Sequence, residues 1–204
     1  DLGHFVFMRI VLWTGADQMA LVSMVQSIYI FVAFVVDAES KGASAIISNL
    51  LGAGVRDPIR KVLRSSFLLH ILYSVGLSFV ILCFSNLWFD LFKGESAVMS
   101  APEYRDTFFY ALLWMCLFFL LDGFVWIFLG FLTAAGDTRF LLAISLLVNW
   151  IAYVLPGYWF VGIQQGTAAT AFAVIACMNC VNFVVYAWRY RSGGWLQSYR
   201  AIKA

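Results

Sequence analysis

The chain has 204 residues, of which 63% are hydrophobic, 18% aromatic and 12% charged, and its formal net charge is +2. Soluble domains carry about 25% charged residues, so a chain with half that share cannot coat a soluble surface. The composition therefore excludes a soluble domain, a disordered chain and a nucleic-acid-binding protein. It indicates an integral membrane protein, and the long apolar runs favour α-helices over a β-barrel.

The first apolar run, His4–Trp13, is too short to cross a bilayer. Its length as a helix is about 15 Å, half of the hydrocarbon thickness. We therefore expect a truncated first span that begins inside a longer parent chain. A turn over residues 14–17 follows, and Asp17 is placed to cap the next helix.

Five further apolar segments are long enough to cross a membrane. The predicted spans are Gln18–Leu51, Phe67–Phe89, Thr107–Ala135, Phe140–Val161 and Thr167–Trp188. Gly52 and Gly54 close the first of these, and Pro156 weakens the last turns of the fourth. The sequence therefore predicts an all-α transmembrane bundle over residues 1–188, with a basic tail over residues 189–204.

Basic residues are distributed unevenly between the two sets of loops. On one side lie Arg56, Arg60, Lys61, Arg64, Arg139, Arg189, Arg191, Arg200 and Lys203. The loops on the other side contain only Lys93 and Arg105. Because loops rich in Lys and Arg face the cytoplasm, we expect a multi-pass protein of the plasma membrane, in a bacterium the inner membrane, with a cytoplasmic C-terminus.

The cysteines and histidines give no sign of an enzyme. Cys177 and Cys180 match C-x-x-C, but no second ligand pair accompanies them, so packed small side chains explain them better than a redox or metal site. His4 and His70 stand alone, and no hydrolase or phosphate-binding motif is present. We expect a protein that is not an enzyme and that has no structural metal or cofactor.

Asp122 is the most informative single residue, because it lies midway along the Thr107–Ala135 span. A charged side chain at the bilayer centre costs about 2.5–3.5 kcal/mol, and such residues usually face the bundle interior or a water-filled cavity. Its helical neighbours include Phe118, Phe119 and Trp126, whose rings beside an acid suit a lipophilic cation. Asp122 is thus either a cation-coupling residue or a protonated side chain bonded to another helix.

A cluster of charges, residues 37–41, lies about twenty residues into the second helix. Asp37 and Lys41 have the spacing of an intrahelical ion pair. One interpretation is a charged belt at the cytoplasmic surface; the other is a bent helix lining a cavity, with Asp37 or Glu39 facing inward. On the Phe140–Val161 span, Asn149 is expected to bond to another helix or to contribute to the cation site as a secondary candidate, and Tyr153 is a candidate for the cavity wall.

Two segments resemble signature elements of multidrug and toxic compound extrusion (MATE) transporters. Residues 42–57 read GASAIISNLLGAGVRD and are similar to the element that ends the second helix of a six-helix lobe. Residues 130–139 read GFLTAAGDTR and are similar to the element that ends the fourth helix. The matching positions are Gly52, Gly54, Gly130, Gly136, Asp137 and Arg139. Almost the whole chain resembles the C-terminal lobe of the family.

The resemblance implies a twelve-helix, two-lobe transporter that exchanges Na+ or H+ for organic cations and other lipophilic drugs by alternating access. Asp122 then corresponds to the acid of the family's tenth helix, in the cation site of the C-terminal lobe. The N-terminal lobe would be supplied in cis or by a partner half within the lipid bilayer. Asp37, Glu39 and Lys41 depart from the apolar or small residues usual in the family.

Two other functions stay open at this point. A related exporter would flip lipid-linked sugars, for which a larger basic cavity is expected, whereas Arg9 and Lys41 are the intramembrane bases here. The second alternative is a non-transporting scaffold or remnant lobe. It stays open because six helices alone do not form a two-lobe cleft. The sequence favours a drug and ion antiporter.

Overall fold

The computed structural model describes residues 2–93 and 101–203, which form helices and turns without a β-strand. The connection between the predicted spans Phe67–Phe89 and Thr107–Ala135 lies partly outside these residues. In chain order the helices are α1 (Leu2–Leu12), α2 (Ala16–Gly52), α3 (Ile59–Cys83), α4 (Ser85–Phe92), α5 (Pro102–Ala134), α6 (Thr138–Val148), α7 (Ala168–Arg191) and α8 (Trp195–Lys203). Two π-helical segments, Asn149–Val154 and Gly157–Ile163, continue α6.

Within the described residues, five helical segments are long and apolar enough to cross a membrane. They are α2, α3, α5, the continuous segment Thr138–Ile163 and α7. Helix α1 is apolar but has only 11 residues. The predicted class, an all-α membrane protein with five full spans and one short span, is confirmed.

Several predicted boundaries are wrong. The span predicted as Phe67–Phe89 is two helices, since α3 begins at Ile59 and ends at Cys83, where α4 follows. Lys and Arg are good helix formers, so the basic segment before residue 67 extends α3 instead of forming a loop. Asp17 is inside the first turn of α2 and does not cap it; its carboxylate accepts a 2.9 Å hydrogen bond from the Tyr104 hydroxyl.

The span predicted as Phe140–Val161 changes its helical form halfway. Pro156 lies between the two π-helical segments, and it has no N–H to donate to the helical ladder. Wider π-helical turns often occur at functional sites. Here the first of them carries Asn149 and Tyr153, two of the residues predicted from the sequence to contribute to a site.

The cysteines are not uniformly buried, contrary to the expectation from their apolar surroundings. Cys116 is buried on α5, but Cys83, Cys177 and Cys180 are exposed. Helices α3 and α7 present apolar faces outward as well as inward, as membrane-spanning helices do, so an apolar neighbourhood along the chain does not predict burial.

Helix α5 is the central element, and it packs against α2, α3 and α7. Its buried side chains belong to two separate apolar clusters. The first cluster contains Phe108, Leu112, Met115 and Phe119 of α5, with partners from α1, α2 and α7. The second contains Ile127, Phe128, Phe131 and Leu132 of α5, with partners from α2, α3 and α8.

A polar band separates the two clusters, formed by Glu39, His70, Asp122 and Asn179. On α2, α3, α5 and α7 alike, the band residue falls between side chains of the first cluster and side chains of the second. His70, Asp122 and Asn179 are buried. Polar side chains at this depth must find partners inside the bundle, because lipid supplies none.

At the basic end of the bundle, residues of the two signature elements make contacts that join neighbouring helices. Gly136 has a φ of +75°, which glycine adopts without strain, and it turns the chain after α5. The next residue, Asp137, is buried and accepts hydrogen bonds from Arg189 Nε at 2.7 Å and Nη2 at 3.1 Å. Ser198 of α8 donates to the same carboxylate at 2.8 Å, so Asp137 joins α7 to α8. Arg139 is exposed.

Glycines of both elements also permit close contacts. Ser44 of α2 donates to the Gly130 carbonyl at 3.1 Å, and a Cβ at Gly130 would lie 3.1 Å from the Ser44 Cβ. Gly54 has a φ of +78° in the turn after α2, where Gly52 is the last helical residue. These contacts hold α2 against α5 near the second cluster.

Candidate functional site

Asp122 has hydrogen bonds to two other helices. The Tyr29 hydroxyl of α2 donates to its Oδ2 at 2.8 Å, and the Asn179 amide of α7 donates to its Oδ1 at 2.9 Å. Its relative exposure is 7%. The Asn179 amide can only donate here, whereas the Tyr29 hydroxyl can donate to a carboxylate or accept from a protonated carboxyl. Asp122 therefore bonds to two other helices, as the second interpretation expected, and its role as a cation-coupling residue stays a prediction.

A cavity of about 490 Å³ opens beside this carboxylate. Its wall is mostly apolar and aromatic, and its polar side chains come from α1, α2, α5, α7 and the first π-helical segment. The lining residues include His4, Gln26, Tyr29, Phe118, Asp122, Trp126, Asn149, Tyr153 and Asn179. An apolar pocket with few convergent polar groups is the usual form of a small-molecule site. No lysine or arginine is among the described residues that line it.

Helix α1 and the first π-helical segment close another side of the cavity. The Gln26 amide lies 3.5 Å from His4 Nε2, and His4 Nδ1 lies 3.0 Å from the Tyr153 hydroxyl. The Phe7 and Tyr153 rings stack with their centroids 4.4 Å apart. The short α1 is thus part of the cavity wall.

Three of the four aromatic residues predicted to line a cavity do so in the structure: Phe118, Trp126 and Tyr153. Phe119 does not. It is 1% exposed, and its ring packs edge-on against His70 and Tyr73 on the α3 side of α5. Consecutive helical residues point about 100° apart, so Phe118 and Phe119 face different neighbours. Asn149, a secondary candidate, lines the cavity and packs against Gly3.

The charge cluster at residues 37–41 divides into two parts. Lys41 Nζ lies 2.6 Å from Asp37 Oδ2, which confirms the predicted intrahelical pair, and the Lys41 side chain is 74% exposed. Asp37 also lines a second cavity of about 250 Å³, which it shares with Tyr29, Asp122 and Trp126. Glu39 points elsewhere and faces His70. Asp37 combines features of both interpretations, because it pairs at the surface and borders a cavity that reaches Asp122.

Sequence reasoning missed Tyr29, Gln26 and His4 as parts of the site. Each lies in an apolar helix with no motif around it, and the contacts join residues far apart in the chain. Asn179 was expected to bond to another helix, and it does, but its partner is the central acid itself. The sequence did show polar residues within the apolar spans, which indicates that they contribute to a site or to helix contacts. The spacing of residues along the chain could not show which residue on another helix each one contacts.

The fold and the site define a multi-pass α-helical membrane protein with a buried acid beside a lipophilic cavity. The chain belongs to the MatE family, whose family model matches residues 2–159. It is therefore a membrane transporter of the MATE type. The matched region contains Tyr29 and Asp122, whereas Asn179 and Arg189 lie beyond it. No curated protein matches the chain.

Proposed function

We propose that the protein exports organic cations or other lipophilic drugs in exchange for Na+ or H+, with this chain as the C-terminal lobe of a two-lobe antiporter. The observation that carries the proposal is Asp122, a buried carboxylate bonded to Tyr29 and Asn179 at the edge of an aromatic cavity. An intramembrane acid of this kind is costly to bury, and such residues usually serve an ion or proton pathway.

The chemistry suggests how ion and drug exchange. The Asp122 carboxylate is one negative charge, and a coupling ion or a cationic drug would each neutralise it. Tyr29 and Phe118, whose ring centroids are 4.8 Å apart, offer aromatic faces for the lipophilic part of a cation. Competition for one charge links the two occupants, and each stabilises the lobe conformation that binds it best.

The distribution of charge favours a cationic or neutral substrate over an anionic one. The described wall of the 490 Å³ cavity carries Asp122 but no lysine or arginine. A lipid-linked sugar phosphate would require cationic partners at this point. The observation therefore supports drug efflux over the flippase alternative.

The basic end of the bundle supports a cytoplasmic C-terminus. The Arg56 guanidinium lies 4.7 Å from the centre of the Tyr199 ring, and the Tyr199 hydroxyl donates to the Leu51 carbonyl at 2.8 Å. Two of the basic segments are thus at the same end of the molecule, as the positive-inside rule requires. Transport by alternating access further needs a second lobe, in cis or from a partner half.

Accumulation of a fluorescent organic cation, such as ethidium, tests the proposal in cells that lack other efflux pumps. Cells with the wild-type protein should accumulate less dye, and Asp122→Asn should restore accumulation to the level of cells without it. Asp106→Asn, at the exposed start of the same helix, is the matched control and should behave as wild type. Equal efflux by Asp122→Asn and wild type would contradict the proposed role.

A further inference from the structure

A second pair of ionisable side chains lies on the α3 side of α5. His70 Nδ1 is 3.6 Å from Glu39 Oε2, and the side chains are 0% and 9% exposed respectively. Neither residue lines the two cavities that Asp122 borders. The pair is thus separate from the Asp122 site, although both belong to the polar band.

The hydrogen bonding of His70 fixes which ring nitrogen carries its proton. Nε2 lies 3.1 Å from the Leu120 carbonyl, and a carbonyl oxygen can only accept, so Nε2 must donate. In the neutral ring, Nδ1 then presents a lone pair, and it presents this lone pair to the Glu39 carboxylate. Two acceptors facing each other in a buried place repel, unless a proton lies between them.

Two atoms of the pair lack a hydrogen-bond donor or acceptor in the described part of the chain. Glu39 Oε1 and His70 Nδ1 have no hydrogen-bond partner among the residues that the structure describes. The aromatic rings of Phe119 and Phe124 flank the imidazole, with centroids 5.9 and 5.4 Å away. Unsatisfied polar atoms in such an apolar place are costly, so the missing partner is a feature that needs an explanation.

The other ionisable groups around the pair are already engaged. On α2, Asp37 and Lys41 bond to each other. On α3, the Tyr73 hydroxyl donates to the Val32 carbonyl at 3.1 Å. On α5, Asp122 accepts from Tyr29 and Asn179. None of these hydrogen bonds delivers a proton to the gap between Glu39 and His70.

We propose that Glu39 and His70 together bind one proton, which forms a second ion-binding site inside the bundle, distinct from Asp122. The bound proton resides on Nδ1 or on the carboxylate, and either location replaces the repulsion of two opposed lone pairs with an attraction across the 3.6 Å gap. His70 also packs on α5 at Gly123, the residue after Asp122, where an added Cβ would overlap the imidazole ring. Gain or loss of the proton therefore acts directly on the helix that carries Asp122.

Histidine-selective ¹⁵N labelling tests this site in the purified protein, reconstituted in lipid nanodiscs and titrated with pH. The chain has two histidines, so two sets of imidazole signals are expected, and His4→Gln assigns them. In the wild type, the His70 nitrogens should shift as the shared proton is lost. Glu39→Gln places a non-titrating amide donor opposite Nδ1 and should abolish that shift, whereas Glu103→Gln at the exposed start of α5 should leave it unchanged.

A His70 signal with the same pH response in the wild type and in Glu39→Gln would overturn the proposal. Should Glu39→Gln fail to fold, the wild type decides alone: the Glu39 carboxyl carbon and the His70 nitrogens should shift over the same pH range, and a His70 shift without a matching Glu39 shift overturns the proposal. The result is independent of drug transport. Unchanged transport by Asp122→Asn would contradict the proposed function and leave this site standing, and an unresponsive His70 would do the reverse.

Discussion

At the scale of single residues, the Asp122 carboxylate depends on donors from two helices. Tyr29 and Asn179 each satisfy one of its oxygens, and together they connect α2, α5 and α7 at mid-bundle. Interhelical hydrogen bonds in membranes average about 0.6 kcal/mol and reach about 1.7 kcal/mol, with charged acceptors at the strong end. These bonds position the charge more than they stabilise the fold.

Asn179→Leu is expected to destabilise the bundle by about 1–2 kcal/mol, because it leaves Asp122 Oδ1 without its donor. Chemical unfolding in detergent, followed by tryptophan fluorescence, measures the loss. The matched control is Asn182→Leu on the same helix, since the Asn182 Oδ1 is buried without a hydrogen-bond partner among the described residues. The control should cost less, and an equal loss for the two variants would show that the Asp122 bond contributes nothing.

Gly123→Ala is expected to destabilise the protein by about 1–3 kcal/mol, because the added Cβ would occupy the place of the His70 ring. In an open helical position the same change stabilises by up to about 1 kcal/mol. Gly76→Ala on α3 provides that comparison, since nothing lies within 4 Å of its added Cβ. Thermal unfolding of both variants measures the difference, and similar midpoints would mean that His70 does not rest on Gly123.

At the scale of helices, Asp137 is the residue that connects three elements. It follows α5, accepts two hydrogen bonds from Arg189 of α7 and accepts one from Ser198 of α8. This explains in physical terms why an Asp after the Gly136 turn belongs to a signature element. Both carboxylate oxygens of Asp137 accept hydrogen bonds, and its negative charge pairs with the Arg189 guanidinium.

Asp137→Asn is expected to weaken the attachment of α8. The amide has one neutral oxygen in place of two anionic ones, so it accepts fewer and weaker hydrogen bonds from Arg189 and Ser198. A loss of about 1.4 kcal/mol would increase the open population roughly tenfold. Limited trypsin digestion at Arg191, before α8, measures this as a faster cleavage. Arg139→Gln, at an exposed position two residues on, is the control. Cleavage of Asp137→Asn at the wild-type rate would refute this role.

The number and order of the spans follow from apolar length, but several helix ends do not. Hydropathy marks where the bilayer is crossed, whereas helix α3 starts earlier because basic residues also form helix. The π-helical turns on both sides of Pro156 depend on packing against α1 and α7, which a local pattern cannot reveal. Asp122 could be predicted as a site residue from the sequence alone. Placing an acid in the middle of a long apolar span costs free energy, and such residues usually have a function.

The partners of Asp122 and the His70–Glu39 pair could not be predicted from the sequence. Each contact joins side chains that are 31 to 93 residues apart, as Glu39 and His70 or Tyr29 and Asp122 illustrate. Spacing along one helix identifies neighbours on that helix only. Which helices adjoin, and at what height, is decided by the packing of the two apolar clusters around α5.

At the scale of the whole molecule, two apolar clusters enclose one polar band. The band holds Asp122 on the cavity side of α5 and the Glu39–His70 pair on the α3 side. At one end, the basic segment after α2 meets α8, where Arg56 lies over the Tyr199 ring. The molecule thus combines an apolar framework with ionisable side chains at mid-bundle, an arrangement that the proposed ion coupling requires.

The most direct test of Asp122 as the coupling residue is ion-driven uptake of an organic cation by proteoliposomes of defined orientation. An imposed gradient of Na+ or H+ should drive uptake by the wild-type protein, and Asp106→Asn should match it. Asp122→Asn should lose the gradient-dependent uptake, because no charge remains for ion and drug to compete for. Gradient-dependent uptake by Asp122→Asn at the wild-type rate would contradict the central claim.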